Sequence, residues 1–571
     1  MVLEEKLPVV IMRRGDEEEA PLVLSPNRGG ASPLAAGRTA WFGGGAPPTS
    51  TQHPQSYGAF VKSTNHSSLD TASHRGDGTS LPSSRLPRLR EHWPVVVEML
   101  ASYALGLAGY SSHSSPWTLG LIFAGLAHAA STASVSGGAS ASGCYYLSAN
   151  PVLTLGQLCR GHVSLPRAVL YWSAQFLGMT LATLTYTVSN GQGHAHATAP
   201  GGLGVVSPLT SCQTQSWGNG LFLLTIFSSA FVYVALAAWD SMALALEACC
   251  SFYGLATGAA YAAALASVQS RGMASGLLNP WMGVLGLINY ATTPSSPSSP
   301  AGVGLAGHST HLASSGMACD TLFILGPVLG ALLGVFLSWL TSLNGSEKES
   351  FLRSLSPMAP LLVETLGVMY LVLTLGAAHQ GWTTGALALA LTLCAWRRSG
   401  AQFNSSVTLV IFLLKRQMFR WTSLLFYVLA HLAGALLGAC LLLLLPPSRD
   451  MPPVAILEEP VVLGARNALL LLAFTAAYLC VFVANTDAEY DEGFLHPALM
   501  VGLTMTGLLG AMARNNDADV LETGLFNPAV TLVLWTVSRA KIGTVVLGVG
   551  VQLLASALAF GMFWGKAQVS L

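Results

Sequence analysis

Four asparagines, each opening a short apolar segment, are the residues of this sequence best placed to do chemistry. An Asn side chain can cap a helix with its oxygen and still has two N–H donors. Proline follows in three of the four cases, and proline at the first helical position favours a helix start. A helix this short that begins within a membrane needs a cavity or packed protein at its open end. The pattern therefore predicts four half helices around something that passes through the protein, over 150–161, 279–290, 404–414 and 527–537.

The composition identifies the class of protein that must position these asparagines. The 571 residues include 26 Lys and Arg and 26 Asp and Glu, 9% of the chain, against about 25% in an average soluble domain. Nineteen of the charges lie in residues 1–92, so 33 remain for residues 93–571. So few charges could not cover a soluble surface, and a net charge of zero without a basic stripe argues against nucleic-acid binding. The composition predicts an all-α, multi-pass membrane protein.

Long, nearly uncharged stretches predict twelve transmembrane helices, since about 20 apolar residues are needed to cross the hydrocarbon. Residues 1–92 lack apolar periodicity and are rich in Ser, Pro, Gly and Ala, which predicts a disordered cytosolic tail. They also lack the layout of a signal peptide. The predicted spans are 93–111, 117–134, 166–188, 218–239, 246–266, 320–341, 359–379, 382–396, 419–445, 465–485, 494–512 and 543–564.

The sequence repeats as two halves. Glu98 and Glu364, early in the first span of each half, are 266 residues apart, and the Asn pair of each half is separated by 129 or 123 residues. Each half also contains three spans with a half helix, twice, which is the inverted-repeat layout of many transport proteins. We expect a first domain over 93–343, a linker over 344–357 and a second domain over 358–571.

Residues 524–532, Gly-Leu-Phe-Asn-Pro-Ala-Val-Thr-Leu, resemble the Asn-Pro-Ala signature of the aquaporin, or major intrinsic protein, family. Residues 147–155 and 399–408 resemble the first such motif, and 276–281 resemble the second motif of the first half. The resemblance covers about residues 93–566 as two tandem six-helix bundles, each with two re-entrant half helices. A single bundle is usual in the family, so the fusion departs from its pattern.

The resemblance implies that two asparagines of each half meet in one pore. Two half helices that meet by their N-termini would bring positive dipole ends and Asn N–H donors to a water or hydroxyl oxygen. Two departures leave plain helix caps as the alternative: Ser405 removes a proline, and Trp281 replaces a small residue and could narrow or block the first pore. The motif residues are Asn150, Pro151, Val152, Asn279, Pro280, Trp281, Asn404, Ser405, Ser406, Asn527, Pro528 and Ala529.

Six polar residues are expected to support the re-entrant loops. In the family, a Glu at the place of Glu98 and Glu364 accepts hydrogen bonds from the loop backbone, and a proton relay is the alternative role for an intramembrane carboxylate. Asn219 and Asn467 stand at the corresponding places of the fourth spans. Gln175 and His431 match in the third spans, where His431 is either a hydrogen-bonded packing residue or a pH gate.

The resemblance also implies a second constriction, in which the family carries an Arg. That Arg would provide donors and a positive barrier, but Met282 and Val530 take its place here. The change predicts wider and less polar pores for small neutral solutes such as glycerol, urea or ammonia, or else a hydrophobic plug. The expected filter positions are Tyr261, Gly276 and Met282 in the first half, with a second-span residue near Phe123, and Thr384, Leu509, Gly524 and Val530 in the second.

The sequence therefore predicts a passive channel for water or small neutral solutes rather than an enzyme. No nucleophile–base pair stands out, and the nine cysteines lack metal-ligand spacing, so no cofactor or metal is expected. The alternatives are a non-conducting membrane scaffold and a proton-coupled transporter. Basic residues at Arg85 and Arg160 in the first half, and at Arg397 and Lys415 in the second, put both termini in the cytoplasm by the positive-inside rule. Two fused barrels per chain suggest a homodimer of four barrels in the lipid bilayer.

Overall fold

The computed structural model describes most of the chain from residue 86 onward. The predicted tail over 1–92, apart from the start of the first helix, and the predicted linker over 344–357 lie outside the described residues. The described residues are 86–111, 115–135, 145–190, 217–243, 250–274, 276–292, 306–342, 358–378, 380–416, 419–445, 463–487, 497–513 and 524–569.

The described part of the chain is all-helical, which confirms the predicted fold class. Twelve long helices coincide with the twelve predicted spans. They are α1 (Leu86–Ser111), α2 (Pro116–Val135), α4 (Leu165–Asn190), α5 (Trp217–Ala243), α6 (Cys250–Gln269), α8 (Ala306–Thr341), α9 (Ala359–Ala378), α10 (Gly381–Ser399), α12 (Trp421–Leu443), α13 (Ala465–Asp487), α14 (Pro497–Ala513) and α16 (Ile542–Val569). The four predicted half helices are α3 (Pro151–Cys159), α7 (Pro280–Thr292), α11 (Ser405–Leu414) and α15 (Pro528–Val537).

Six of the long helices, α5, α8, α9, α12, α13 and α16, are long and apolar enough to cross a membrane by length and composition. The other six do not meet that measure: α2, α6 and α10 are rich in Gly, Ser and Thr, and α14 has only 17 residues. Small and polar residues suit helices that pack on protein within a membrane, because they permit close approach and hydrogen bonds between helices. The chain is an integral, multi-pass membrane protein.

Glycines allow the same close helix crossing in each half. A Cβ at Gly178 of α4 would lie 2.2 Å from the Met99 carbonyl oxygen of α1. A Cβ at Gly434 of α12 would lie 2.4 Å from the Thr365 carbonyl oxygen of α9. Met99 and Thr365 directly follow Glu98 and Glu364, so these crossings place the two carboxylates at equivalent depths against the third long helix of each half.

Residues 93–571 form one compact unit, in which α5 and α6 of the first half pack on α9 and α10 of the second. The Ser229 and Tyr370 hydroxyls lie 2.9 Å apart across this contact. Arg271 donates from Nε to the carbonyl oxygen of Ala377 at 3.1 Å, at the end of α9. Arg398, at the end of α10, donates to the carbonyl oxygen of Ala237 at 3.3 Å, near the end of α5.

Arginine side chains at helix carboxyl ends satisfy carbonyls that have no partner within the helix, and their charge favours the negative end of the helix dipole. Each half contributes one arginine to a helix of the other: Arg271 bonds to Ala377 in the last turn of α9, whereas Arg398 bonds to Ala237, which lies before the last turn of α5. Burial lowers the pKa of the Arg271 guanidinium. The contact between the halves therefore includes two hydrogen bonds from arginines to carbonyl groups, as well as the contact of the Ser229 and Tyr370 hydroxyls.

Candidate functional site

All four asparagines cap their half helices. The side-chain oxygen of each accepts a hydrogen bond from the backbone N–H two residues further on, which satisfies one of the open donors at a helix start. The bonds run from Val152 to Asn150 at 3.1 Å, from Trp281 to Asn279 at 3.0 Å, from Ser406 to Asn404 at 2.8 Å and from Ala529 to Asn527 at 3.1 Å.

The residue before each asparagine has the left-handed backbone conformation, which side chains other than Gly and Asn rarely adopt. The φ angles are 48° at Ala149, 45° at Leu278, 45° at Phe403 and 56° at Phe526. Strained backbone of this kind persists only where the surrounding structure holds it, and it is concentrated at functional sites. This strain could not be predicted from the residue types, because alanine, leucine and phenylalanine do not favour the left-handed conformation.

In the second half, the two half helices meet by their N-termini through reciprocal hydrogen bonds. Asn404 Nδ2 donates to the Phe526 carbonyl oxygen at 3.0 Å, and Asn527 Nδ2 donates to the Phe403 carbonyl oxygen at 3.0 Å. The Ser405 N–H also donates to Asn527 Oδ1 at 3.1 Å. Both asparagines are buried. The loss of proline at Ser405 therefore adds a backbone donor that crosses directly to the other half helix.

In the first half, Asn150 Nδ2 donates to the Leu278 carbonyl oxygen at 3.2 Å, which joins α3 to the loop before α7. Trp281 is half-buried and packs edge to face on Phe176 of α4, with ring centroids 5.2 Å apart. Its indole ring thus lies against the third long helix of the bundle. Pro151 and Val152 are buried at the start of α3.

Glu98 is fully buried on α1 and accepts hydrogen bonds from the loop before Asn150. The N–H groups of Ser148 and Ala149 donate to its two oxygens at 2.9 and 2.7 Å. Gln175 of α4 donates to the same carboxylate at 2.8 Å and to the Thr154 hydroxyl of α3 at 2.8 Å. Charge-assisted bonds of this kind are roughly twice as strong as neutral ones, so this network holds the loop in its strained form.

Glu364 of α9 accepts the equivalent hydrogen bonds from the loop before Asn404. The Gln402 N–H donates to its Oε1 at 3.0 Å, and the Phe403 N–H donates to its Oε2. His431 takes the place of Gln175, with Nε2 3.1 Å from Glu364 Oε2 and Nδ1 3.2 Å from the Ser405 hydroxyl. All three side chains are buried. Ser405 is thus tied through His431 to the carboxylate that holds the loop.

Asn219 and Asn467, the other two predicted supporting residues, are half-buried in the first turns of α5 and α13. Gln552 of α16, which is not among the predicted residues, is buried and donates to the Thr531 hydroxyl of α15 at 2.9 Å. This bond repeats the one from Gln175 to Thr154. The signal was available, because Gln in a long apolar span is as unusual as Glu.

The predicted filter positions lie in the protein interior. Gly276 and Gly524 have φ values of 51° and 50°. A Cβ at Gly276 would lie 2.4 Å from the Phe323 ring, and one at Gly524 would lie 1.9 Å from the Thr531 hydroxyl oxygen. Only glycine fits either place. The remaining filter side chains, Tyr261, Met282, Thr384, Leu509 and Val530, have at most 2% of their surface exposed.

A charged cluster outside the predicted site joins the two halves. It lies where the turn after α3 meets the end regions of α5 and α10. Asp240 Oδ2 lies 3.0 Å from Arg160 Nη2 and 3.0 Å from Arg398 Nη2. His162 stacks on Trp239, with ring centroids 4.4 Å apart, and its Nε2 is 3.8 Å from Asp240 Oδ1. Burial lowers the pKa of His162, Asp240 raises it and Arg160 lowers it further.

Within the residues that the structure describes, no group of three His, Cys, Asp or Glu side chains could hold a metal ion. Among the cysteines whose side chains the structure describes, Cys159, Cys394, Cys440 and Cys480 are free. Cys319 is disulfide-bonded, a bond that the spacing of the nine cysteines did not predict.

Comparisons with known proteins agree with this geometry. Residues 324–516 match the sequence model of the family described as Major intrinsic protein. The chain is 34% identical to aquaporin TIP1-2 of Musa acuminata over 115 residues, 20% of this chain and 44% of that protein. It is 31% identical to aquaporin TIP1-1 of Arabidopsis thaliana over 120 residues, 20% of this chain and 47% of that protein. Aquaporin TIP3-2 of Zea mays is 37% identical over 84 residues, 15% and 27% of the two chains. The chain spans less than half the length of these relatives, and no solved structure matches.

Proposed function

We propose that the chain is a passive transmembrane channel of the major intrinsic protein family, for water and small neutral solutes. Each half, 93–343 and 358–571, would be one six-helix barrel with its own pore. The relatives' name, aquaporin, supports a water channel.

The observation that supports this function most is the meeting of α11 and α15 by their N-termini. Each Asn amide there has two N–H donors, and one is bonded to the carbonyl oxygen of the opposite loop, from Asn404 to Phe526 and from Asn527 to Phe403. The second N–H of each amide is the donor that this proposal assigns to a passing water or hydroxyl oxygen. The positive ends of both helix dipoles converge on the same point and disfavour a cation, including a proton carried along a file of waters.

The filter positions of the second half favour small neutral solutes over strict selection of water. Val530 stands where the resembled family has an Arg, and Leu509 and Thr384 complete the constriction with small or aliphatic side chains. Without Arg there is neither a fork of donors nor a positive barrier. Glycerol, urea and ammonia are the solutes we propose to test, together with water.

The orientation rests on charge and on one cysteine. Basic residues cluster at the predicted cytoplasmic ends of the helices, as the positive-inside rule requires. Cys319 lies within α8 where its membrane span begins, at the end of the span opposite to the predicted cytoplasmic end, and is disulfide-bonded. Disulfides persist in oxidising compartments and are rare in the cytosol. Both observations favour cytoplasmic termini, with the Cys319 side facing an extracytoplasmic space.

The contact between the halves supports a homodimer of four barrels. In one chain, α5 and α6 of the first half pack on α9 and α10 of the second. By the internal repeat, α13 and α14 would offer the second chain the same kind of surface that α5 and α6 offer within the chain. A head-to-tail contact of this kind closes into a ring when its rotation permits.

A non-conducting membrane scaffold is the second candidate function, and one observation favours it. The filter side chains Thr384, Leu509 and Val530 have no exposed surface, as expected for a closed barrel. A proton-coupled transporter has less support, because Glu98 and Glu364 are already committed as acceptors for loop backbone N–H groups.

Stopped-flow swelling of proteoliposomes separates these functions. The purified full-length protein is exposed to gradients of water, glycerol and urea, with and without a proton gradient. Rapid, non-saturating swelling that needs no ion gradient is the expected result. Dependence on the proton gradient would favour the transporter, and swelling no faster than that of protein-free liposomes for every solute would favour the scaffold.

A further inference from the structure

The filters of the two halves can be compared position by position, because the helices that carry them cross in the same register. In the first half, Gly258 of α6 lies against Ala124 of α2, where its added Cβ would be 2.8 Å from the Ala124 Cβ. In the second half, Gly385 of α10 lies against Thr506 of α14, where its added Cβ would be 2.5 Å from the Thr506 Cα. Ala124 therefore matches Gly385, and Gly258 matches Thr506.

These crossings show which filter residue of the first half corresponds to which filter residue of the second. Phe123, one residue before Ala124, matches Thr384, and Tyr261, three residues after Gly258, matches Leu509. A second crossing agrees, since Gly120 lies against Ala262 while Gly381 lies against Leu509 and Gly510. The second-span position of the first filter, which the sequence left open, is therefore Phe123. The first filter has two aromatic rings where the second has a threonine and a leucine.

These rings form a closed group with a third one. Tyr261 lies 5.5 Å from Phe123 and 4.9 Å from Phe231 of α5, and the two phenylalanines are 6.0 Å apart, all measured between ring centroids. The three rings are buried, as are the filter side chains of the second half, so the packing of the rings on one another, and not their burial, distinguishes the first filter. Packed aromatic rings at these distances and angles stabilise one another beyond their burial, so a solute would have to separate them to pass.

The Tyr261 hydroxyl closes the remaining polar route. It donates to the Leu277 carbonyl oxygen at 2.8 Å, in the strained loop just before Asn279. A solute that has lost its water contacts needs backbone acceptors of this kind, and here the chain's own phenol uses one. Leu509 has no hydroxyl and cannot make the equivalent bond in the second half.

We propose that Tyr261 seals the filter of the first half together with Phe123 and Phe231, so that solute flux passes through the second half alone. The first half is then a closed barrel that supports the second through the contact of α5 and α6 with α9 and α10. This inference rests on the proposed channel function, which it deepens by assigning the flux to one of two barrels.

Swelling of proteoliposomes with full-length variants tests the assignment. Leu509→Trp fills the second filter and should reduce water flux to that of protein-free liposomes. Leu503→Trp is the matched control, since Leu503 lies on the same helix with 47% of its surface exposed, and should leave the flux unchanged. The double variant Phe123→Thr with Tyr261→Leu replaces the two aromatic rings of the first filter with the side chains of the second, while Met282 is kept, and should raise the flux up to about twofold, because two parallel pores replace one.

A thiol probe provides an answer that does not depend on a bulky substitution. Val530→Cys and Met282→Cys place one cysteine at the same filter position of the second and first halves. A membrane-permeant mercurial should block swelling by the Val530→Cys variant, while the Met282→Cys variant should respond only as wild type does through its native cysteines.

The outcomes separate the two proposals. A wild-type protein that swells liposomes while Leu509→Trp keeps its flux, or whose flux is blocked through Met282→Cys, overturns the assignment to the second half. A wild-type protein that gives no swelling refutes the channel function itself. In that case, swelling gained by the Phe123→Thr, Tyr261→Leu variant would still support the seal in the first half.

Discussion

At the scale of single residues, two buried carboxylates accept equivalent backbone hydrogen bonds in the two halves, but each has a different side chain as its third partner. Glu98 and Glu364 each accept the two backbone N–H groups that precede an asparagine. The third partner is Gln175 in the first half and His431 in the second. A buried charge without partners costs several kcal/mol, so the third partner is expected to contribute measurably to stability in both halves.

We predict that His431→Gln is tolerated and His431→Leu is not. Gln can donate to Glu364 as Gln175 donates to Glu98, whereas Leu would remove a donor from a buried carboxylate at a cost of about 3–5 kcal/mol. Thermal denaturation in detergent would compare the two variants. Gln175→His is the matched control, and equal midpoints for His431→Gln and His431→Leu would show that the His431 contact does not stabilise the fold.

Residue types alone predicted the asparagines and glutamates, because Asn before Pro and Glu within an apolar span are rare and have specific physical causes. The left-handed residues Phe403 and Phe526 were beyond prediction, since the conformation is imposed by hydrogen bonds from elements far away in the sequence. The proposed seal at Tyr261 could not be predicted from the sequence either. Its side chain was visible as a filter position, but its acceptor is a backbone carbonyl that depends on the fold of the next loop.

At the scale of helices, close crossings at glycine fix how deep each glutamate lies. Gly434→Ala should destabilise the protein by about 1–3 kcal/mol, because the new methyl group meets the Thr365 carbonyl oxygen on a neighbouring backbone that cannot rotate away. Gly507→Ala on α14 is the control. No atom lies within 4 Å of the added methyl, so it should be neutral or stabilise the helix by up to about 1 kcal/mol.

Denaturation midpoints of both glycine variants would test this prediction. A Gly434→Ala protein as stable as the Gly507→Ala protein would contradict the proposed tight crossing of α9 and α12.

The turn after α3 should make stability depend on pH. Burial lowers the pKa of His162 below its ordinary value of 6.5, so the folded protein resists a proton that the unfolded chain accepts. Stability should therefore fall as the pH drops through about 6.5, because the unfolded state then binds more protons. His162→Gln should reduce this dependence in melts between about pH 8 and 5.5. An unchanged pH dependence would show that His162 is not its source.

At the scale of the whole molecule, the two halves pack on one another and carry different side chains at the predicted filter positions. The sequence predicted the twelve long helices and four half helices, since their apolar lengths and caps are local properties. It did not predict the arginines that join the halves, Arg271 and Arg398, because their acceptors are carbonyl groups of helices in the other half.

The proposed orientation in the membrane predicts the disulfide partner of Cys319. The disulfide partner of Cys319 is none of the four free cysteines, and Cys212 is the one remaining cysteine in a segment predicted to lie outside. Peptide mapping without reduction should yield a fragment that joins Cys319 to Cys212. A fragment that joins Cys319 to Cys144, between the second and third predicted spans, or to Cys249 or Cys250, at the start of the fifth predicted span, would contradict the topology, because all three lie towards the predicted cytoplasmic side.

The most direct test of the central claim is the osmotic water permeability of proteoliposomes that contain wild-type protein or Asn527→Asp. The carboxylate can still accept the capping bond from Ala529, but it loses both N–H donors and adds negative charge where two helix dipoles converge. We predict that the wild type swells faster than protein-free liposomes and that Asn527→Asp, at equal protein content, loses most of that increase. Equal swelling of wild type and Asn527→Asp would contradict a pore at Asn527, and wild-type swelling at the protein-free rate would contradict the channel.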